Sequence, residues 1–445
     1  MKIAWFTPFS RASAVGEYSR RVTNRIAQFY EVDLWLSAID DTEKTELQTV
    51  HYGQKPELLD RLGQYDLVIY NIDDHFPLYK EIFETSRRHK GVIVLHDIFL
   101  HHFFAGYYLD FRKDSISYLK KLEELHGPEA RLAGESLVAA KRPALCESYE
   151  ELLKYPLFEE AIVGADGVIV HSRQHASLVK EKWLGPVRAL DLPCYEDDKQ
   201  ANFPHEPLTR SEHGDRRLLL VTVGNIARNS QVHKVIELLA ADKDMARRVL
   251  YVVVGPYEEA DEYLRELSEL VEKRSLHSSV QLLGFQQDPI QRRYLAEADI
   301  LISLGLPAVE SASRSVIEQM LAGKPAIVFD SSFSKELPDQ CVVRVPALDF
   351  RILTERLGML VRSEALRLSI GASARALALE RFSVATYVTD FGRFVEQVAS
   401  WRPCLNLIDR ASRNLGRMGI APGMGVVDVV ANEIYQMFGF SKDRS

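Results

Sequence analysis

LLLVTVGNIARNSQVHKVIELLAADKDMARRVLYVVVG, residues 218–255, holds two apolar runs, Leu218 to Val223 and Val249 to Val254, each running into a glycine, Gly224 and Gly255. Short runs of this kind, joined by a longer helix-forming stretch, read as two buried parallel strands linked by a crossover helix. The pattern continues through Val280 to Leu283, Ile300 to Ser303 and Ala326 to Phe329, with amphipathic stretches such as Glu259 to Glu272 between them. Gly284 and Gly305 stand, like Gly224 and Gly255, at or just beyond the carboxyl ends of these runs. Ligands of open α/β sheets bind at that edge. Turn chemistry explains any single one of the four glycines equally well.

Working back towards the N-terminus, the same rhythm appears in Ile3 to Phe6, Glu31 to Leu36, Leu67 to Tyr70, Val92 to Leu95 and Val168 to Val170. A polar stretch from Glu196 to Arg217, with Pro204 and Pro207, separates the two series and reads as a linker. The expected organisation is two Rossmann-like, doubly wound α/β domains, 1–200 and 215–385, followed by helices over 386–445. A charge-rich stretch at about 110–156 (Arg112, Lys113, Lys120, Lys121, Arg131, Lys141, Arg142) interrupts the first series and is read as a helical insertion. A pair of solvated surface helices would read the same way. The tail from Trp401 carries Gly416, Gly419, Gly423 and Gly425 and ends in an apolar run, Val426 to Phe440, expected to pack on the body or on a partner subunit.

At 445 residues two domains are the default. With 46% hydrophobic and 27% charged residues the chain is expected to be globular. A net charge of −8 and the lack of a Lys/Arg block argue against nucleic acid as a partner. Cys146, Cys194, Cys341 and Cys404 form no C-x-x-C pair, which suits a reducing cytoplasm and suggests neither zinc nor disulfides. The opening Met1 to Phe6 is too brief for a signal peptide, and no run of ~18 apolar residues occurs, so any membrane contact is expected to be peripheral, at the inner membrane face.

The strongest local signal is Glu310-Ser-Ala-Ser-Arg-Ser-Val-Ile-Glu318, between the strand Ile300 to Ser303 and a helix Ser315 to Leu321 that Gly323 and Pro325 close. Outward-pointing N–H groups at such a helix start suit a diphosphate, and small side chains let it come close. The two carboxylates are placed to bond separate hydroxyl-bearing groups of one ligand. Taken alone, the pair reads equally as a cap and an exposed helix residue.

Glutamate, seven residues and a second glutamate in this setting resemble the retaining GT-B glycosyltransferases of family four. The run Leu304 to Asp339, ending in Lys335-Glu-Leu-Pro-Asp339, is similar to the subgroup with an E-L-P-D step. The resemblance implies a GT-B fold, two Rossmann-like domains facing each other across a cleft, with a helix Phe382 to Val398 crossing back to the first. It implies that Glu310 contacts the donor sugar and Glu318 the ribose, with Ser311, Ser313, Arg314 and Ser315 about the diphosphate. His96, closing Val92-Ile-Val-Leu-His96, would reach the donor sugar near the reacting carbon; Asp97, His101 and His102 beside it also allow a metal cluster, although the resemblance is to a metal-free class. A satisfied core histidine is the other reading of His96.

Pro8 to Ser19 resembles the loop that meets donor and acceptor, with Ser13, Ala14 in the place of the usual glycine, and Gly16 two residues later. Phe285, in Gly284-Phe-Gln-Gln-Asp288, stands where relatives bind the nucleobase. Gly224 to Val235 resembles the segment that supplies a lysine to the diphosphate, but Ser230 and Gln231 occupy those places, leaving Arg228, Lys234 and Arg314 as substitutes.

The expected activity is transfer of a sugar from a nucleotide-diphosphate sugar, with retention, in bacterial surface polysaccharide or glycoconjugate assembly. No cofactor and no metal are expected. The acceptor is a glycan, a lipid-linked glycan or a protein, and a homo-oligomer is compatible with the tail. Two alternatives stay open: a catalytically silent nucleotide-sugar-binding partner subunit, and another GT-B enzyme such as an epimerase or a phosphorylase.

Overall fold

The computed structural model describes residues 1–10, 13–37, 44–53, 55–140, 154–194, 217–224, 226–256, 262–305, 312–330, 332–346, 349–420 and 425–438. Two compact units are present, Met1–Leu190 together with Tyr387–Ser445, and Asp191–Thr386.

The first unit is built on a seven-stranded sheet, ordered β3-β2-β1-β4-β5-β6-β7. The strands are β1 (Lys2–Phe6), β2 (Glu31–Leu36), β3 (Gln48–His51), β4 (Leu67–Ile72), β5 (Val92–Leu95), β6 (Gly167–Val170) and β7 (Val187–Ala189). All neighbours run parallel, which the short, unbroken apolar runs foretell. The order reverses between β1 and β4, the switch point at which a sheet of this kind opens a crevice at its carboxyl edge. Helix Ala14–Ile26 follows β1 directly, with Ser13 as its N-cap. A helix of 34 residues, Val384–Arg417, starts at the end of the second unit and belongs from Tyr387 onward to the first. Its Phe394 and Val398 close over Gly167, where a β-carbon would collide with both side chains. The expected helix ending at Val398 thus continues past Pro403; beyond the proline's missing N–H, Arg402 bonds the Asp66 carbonyl and Cys404 is buried, so packing overrides the local break.

The second unit carries a six-stranded parallel sheet, β10-β9-β8-β11-β12-β13. Its strands are β8 (Leu218–Val223), β9 (Val249–Val254), β10 (Val280–Gly284), β11 (Ile300–Ser303), β12 (Ala326–Phe329) and β13 (Val343–Val345). Alternate residues feed two separate cores. Ile300, Ile302, Ile327 and Phe329 pack with helices Val232–Ala241, Glu262–Lys273 and Phe350–Arg362, while Leu301, Ala326 and Val328 pack with Arg314–Leu321 and Glu364–Arg381. Both faces are therefore covered, as a doubly wound sheet requires. The switch point here lies between β8 and β11.

Three short strands, β3, β7 and β13, were not expected; each is an edge strand of mixed character with too few apolar residues to register as a run. The insertion resolves into a π-helical turn Gly106–Phe111 and helices Ser115–His126 and Pro128–Ala140; Lys141 and Arg142 lie outside the described residues, as does the linker Glu196 to Arg217 except its last residue. The apolar tail forms helix Gly425–Met437.

Candidate functional site

In the first unit the segment after β1 folds tightly against its helix. The Ser13 hydroxyl accepts from the Gly16 N–H at 3.1 Å, satisfying a first-turn donor. A β-carbon on Gly16 would sit 2.7 Å from the Ser10 carbonyl oxygen and 3.1 Å from that of Pro8. The close approach of backbone to backbone thus falls at Gly16, and Ala14, the exposed first residue of the helix, needs no glycine.

His96 follows β5 at the switch-point edge. Its Nε2 lies 3.0 Å from Oδ1 of Asn71, whose amide nitrogen donates to the Phe6 carbonyl at 2.8 Å, so Oδ1 is the atom that faces the ring. Its Nδ1 lies 3.2 Å from Nε2 of His171, the first residue past β6, and His171 Nδ1 lies 2.9 Å from the Leu190 carbonyl. Tyr18 sets its ring edge-on to His96 at 4.7 Å and shares a hydrogen bond with Tyr387. Burial, and then the neighbouring imidazole, hold the His96 pKa well below the ordinary histidine range. Both ring nitrogens of His96 are thus already engaged, the arrangement of a satisfied histidine; a sugar hydroxyl must displace one partner to reach it.

Asp97, next in sequence, accepts the Phe99 N–H at 2.9 Å; burial pushes its carboxyl up to about 8, the Phe99 N–H opposes this and Asp73 adds to it. The two histidines considered for a metal have other partners. His101 bonds the Tyr155 carbonyl and the Tyr118 hydroxyl, and His102 pairs with Asp74 at 2.7 Å. Among the described residues no group of three or more His, Cys, Asp or Glu side chains is disposed to hold a metal ion.

In the second unit the loops after β8 and β11 leave from neighbouring strands. Gly224 opens the first loop with φ +144, and a β-carbon on Gly255, beyond β9, would overlap the Gly224 carbonyl. Ser230 bonds the Ala227 carbonyl at 2.6 Å, and Gln231, left-handed at φ +55, leads into helix Val232–Ala241. The three substitute cations each face a carboxylate. Arg228 pairs with Glu266 and lies over the Tyr263 ring; Lys234 pairs with Glu237 at 3.0 Å and lies over Phe350; Arg314 pairs with Glu318 at 2.8 Å. Tyr263 also caps the helix by accepting the His233 N–H at 3.2 Å.

Ser313 is the N-cap of helix Arg314–Leu321 but makes no side-chain cap bond, its hydroxyl lying 3.1 Å from that of Ser315. Ser313, Arg314, Ser315 and Glu318 therefore share the first turns of one helix. Phe285 is two-thirds exposed at the carboxyl end of β10, two strands from β8. Glu310 and Ser311 lie outside the described residues.

Glu336, of the E-L-P-D step, serves the scaffold. Arg381 forks onto Asp191 at 2.6 and 2.7 Å and turns its remaining donors to the Glu336 carbonyl at 3.2 Å and carboxylate at 3.4 Å. Sequence reasoning passed over Asn71, His171, Tyr263 and Arg381. Two of them carried a legible signal, a lone amide within the apolar run LVIYNI and a second histidine immediately past a strand.

Residues 208–340, within the second unit, match the family model described as Glycosyl transferases group 1. Among solved structures, HepE of Anabaena in complex with UDP is similar at 14% identity and a TM-score of 0.60, over 89% of this chain and 100% of that one. A sucrose-phosphate synthase from Thermosynechococcus elongatus is similar at 14% identity and 0.57, over 90% and 99%. WaaG, a glycosyltransferase involved in lipopolysaccharide biosynthesis, is similar at 16% identity and 0.54, over 87% and 98%. No curated protein matches by sequence. The likeness establishes the fold: two parallel-sheet Rossmann-like units of the GT-B class.

Proposed function

We propose that the chain is a glycosyltransferase that moves a sugar from a nucleotide-diphosphate sugar to an acceptor hydroxyl with retention of configuration. The observation that carries this is the coincidence of the group 1 match with the unit in which Arg228 follows β8 and Ser313, Arg314, Ser315 and Glu318 follow the neighbouring strand β11. The HepE structures with UDP and with UDP-glucose support a nucleotide sugar as the ligand class.

Donor binding exchanges partners within the second unit. The diphosphate draws Arg314 from Glu318, the freed carboxylate accepts from the ribose, and Ser313 and the uncapped first turn of the helix add N–H donors. Arg228 and Lys234 are further cations for the leaving group, each already held by a carboxylate and an aromatic ring. Glu310 and His96 orient the sugar, and the departing diphosphate takes the acceptor proton, so no enzymic nucleophile is invoked. The reading keeps the reaction free of a metal and of any cofactor. Its setting is surface polysaccharide or glycoconjugate assembly, with a peripheral position at the cytoplasmic membrane face; among the described residues no helix is long and apolar enough to cross a membrane.

A second reading is favoured by one observation. With Ser230 in the lysine's place and all three substitute cations already paired, the chain would serve as a nucleotide-sugar-binding partner subunit. A panel of nucleotide sugars separates the two, with thermal stabilisation and release of free nucleoside diphosphate as readouts. Release by one donor, abolished in Glu310→Ala, supports the transferase. Stabilisation without release under every acceptor tried supports the binder, and no response to any donor refutes both.

A further inference from the structure

The loop after β8 uses its own side chains to hold its shape. Ser230 donates to the Ala227 carbonyl twice, from Oγ at 2.6 Å and from its N–H at 2.9 Å, and Gln231 Nε2 donates to the Arg228 carbonyl at 3.0 Å. The two residues that stand where cations were expected thus close the turn Arg228–Ser230, and the cation of that turn is Arg228. Its side chain reaches helix Glu262–Lys273, where two residues one turn apart receive it: the Tyr263 ring, 5.4 Å from the guanidinium carbon, and the Glu266 carboxylate. Tyr263 has a second task. Its phenol oxygen accepts the His233 N–H at 3.2 Å and lies 2.8 Å from His233 Nδ1, at a helix start whose own N-cap, Gln231, supplies no side-chain bond. One side chain, 4% exposed, therefore fixes both the exit of the turn and the guanidinium that projects from it.

We propose that Tyr263 and Glu266 are positioning residues for Arg228: the Tyr263 ring holds the guanidinium beside the switch-point loop, and Glu266 occupies it until a nucleoside diphosphate takes the carboxylate's place. The two partners differ in how firmly they hold. The side chains of Arg228 and Glu266 are 65% and 42% exposed, and an ion pair so open to water contributes little, so the carboxylate is readily exchanged for another anion. The buried ring stays beneath the guanidinium through the exchange and keeps its attraction for the cation. A diphosphate offers charge-assisted bonds that replace those to Glu266. Two residues of one helix are thus expected to act with opposite signs: loss of the ring weakens diphosphate binding, and loss of the carboxylate strengthens it. The inference rests on the proposal that the donor diphosphate binds at the loops after β8 and β11.

Two measurements on the full-length chain test it. In the ligand-free protein, nitrogen-15 spectra of the arginine side chains are expected to show the Arg228 Nε–H shifted by the Tyr263 ring current, in wild type and in Tyr263→Phe, and back at the position of a solvated arginine in Tyr263→Leu. A signal unmoved in Tyr263→Leu would overturn the stack. Calorimetric titrations with UDP, ADP and GDP then read the exchange. For the diphosphate that wild type binds, Tyr263→Leu is expected to weaken binding about fivefold. Tyr263→Phe, which keeps the ring and loses the cap, is expected to keep the wild-type Kd and to melt at a lower temperature. Glu266→Gln, a surface change that leaves the fold alone, is expected to tighten binding about two- to fivefold. Because removing any negative charge near a phosphate favours binding, a double-mutant cycle decides: in the Arg228→Gln background Glu266→Gln is expected to bring no further gain. An equal gain with and without Arg228, or a wild-type Kd in Tyr263→Leu, would overturn the positioning roles and leave the donor reading standing. No binding of any of the three diphosphates by wild type would overturn the donor reading itself and the exchange at Glu266 with it.

Discussion

Arg381→Ala tests the interior of the second unit most directly. The guanidinium makes two short, charge-assisted bonds to Asp191 and reaches both the carbonyl and the carboxylate of Glu336. Its side chain is 12% exposed, that of Glu336 10% and that of Asp191 23%. Removing Arg381 takes the fork from the Asp191 carboxylate, and breaking so buried a pair typically costs ~3–5 kcal/mol; water can reach Asp191 in part, so the low end, about 3 kcal/mol, is expected. For a unit of roughly 200 residues that corresponds to a fall in melting temperature of about 6–12 °C. Calorimetry of wild type and Arg381→Ala reads it. Arg381→Lys, which keeps the charge and loses the fork, should fall between them. A melting temperature of Arg381→Ala within about 2 °C of wild type would refute the reasoning, because it would mean the fork contributes no more than an exposed ion pair.

Ser230→Lys should raise donor affinity by about tenfold, read by calorimetric titration with the nucleotide sugar, if a cation near the diphosphate is what the loop lacks; an unchanged Kd would place the phosphates elsewhere. Glu318→Ala should weaken nucleotide binding more than turnover at saturation, whereas equal losses in both would count against a ribose contact. Asp97 has its folded pKa raised to about 8 from 3.8, so its contribution is full in acid and is lost as pH rises through about 8. Asp97→Asn, which keeps the acceptor for Phe99, should flatten the decline in melting temperature from pH 5 to pH 8, and an unaltered decline would exclude Asp97 as its source. Gly255→Ala forces a β-carbon onto the Gly224 carbonyl and should cost about 1–3 kcal/mol while distorting the loop to Arg228; a wild-type melting curve would show that the two glycines can part.

The fold was legible because its strands are buried on both faces. Such strands must be apolar at consecutive positions, and ten of them stand out in the sequence within a residue or two of their observed ends. The edge strands β3, β7 and β13 have one neighbour each and no such obligation, so QTVH, VRA and VRV look like loop; β10 is an edge strand too, with Gln281 exposed, and was legible only through Val280, Leu282 and Leu283. The candidate site was legible where it depends on local order along one helix, as at Ser313 to Glu318. It was not legible where it depends on partners brought from afar: the sequence does not reveal that Arg228, Lys234 and Arg314 are each matched by a carboxylate, nor that His96 is bonded at both nitrogens by Asn71 and His171, 25 and 75 positions away. Spacing reports which side chains share an element, and only the fold reports which of them are already spoken for.

The Arg381 fork also bears on how the chain tolerates rearrangement. Asp191 is the first residue of the second unit, and Arg381 stands five before its last, Thr386. One side chain therefore pins the entry of this unit to its exit, and Cys194 N–H to Phe382 carbonyl at 2.9 Å repeats the tie. A segment whose two ends meet is a cassette: it can be excised, grafted into a host loop, or opened elsewhere and closed here by a short peptide without pulling its sheet apart. On the proposed function, residues 191–386 produced alone would be the part in which to look for nucleotide recognition without the rest of the chain.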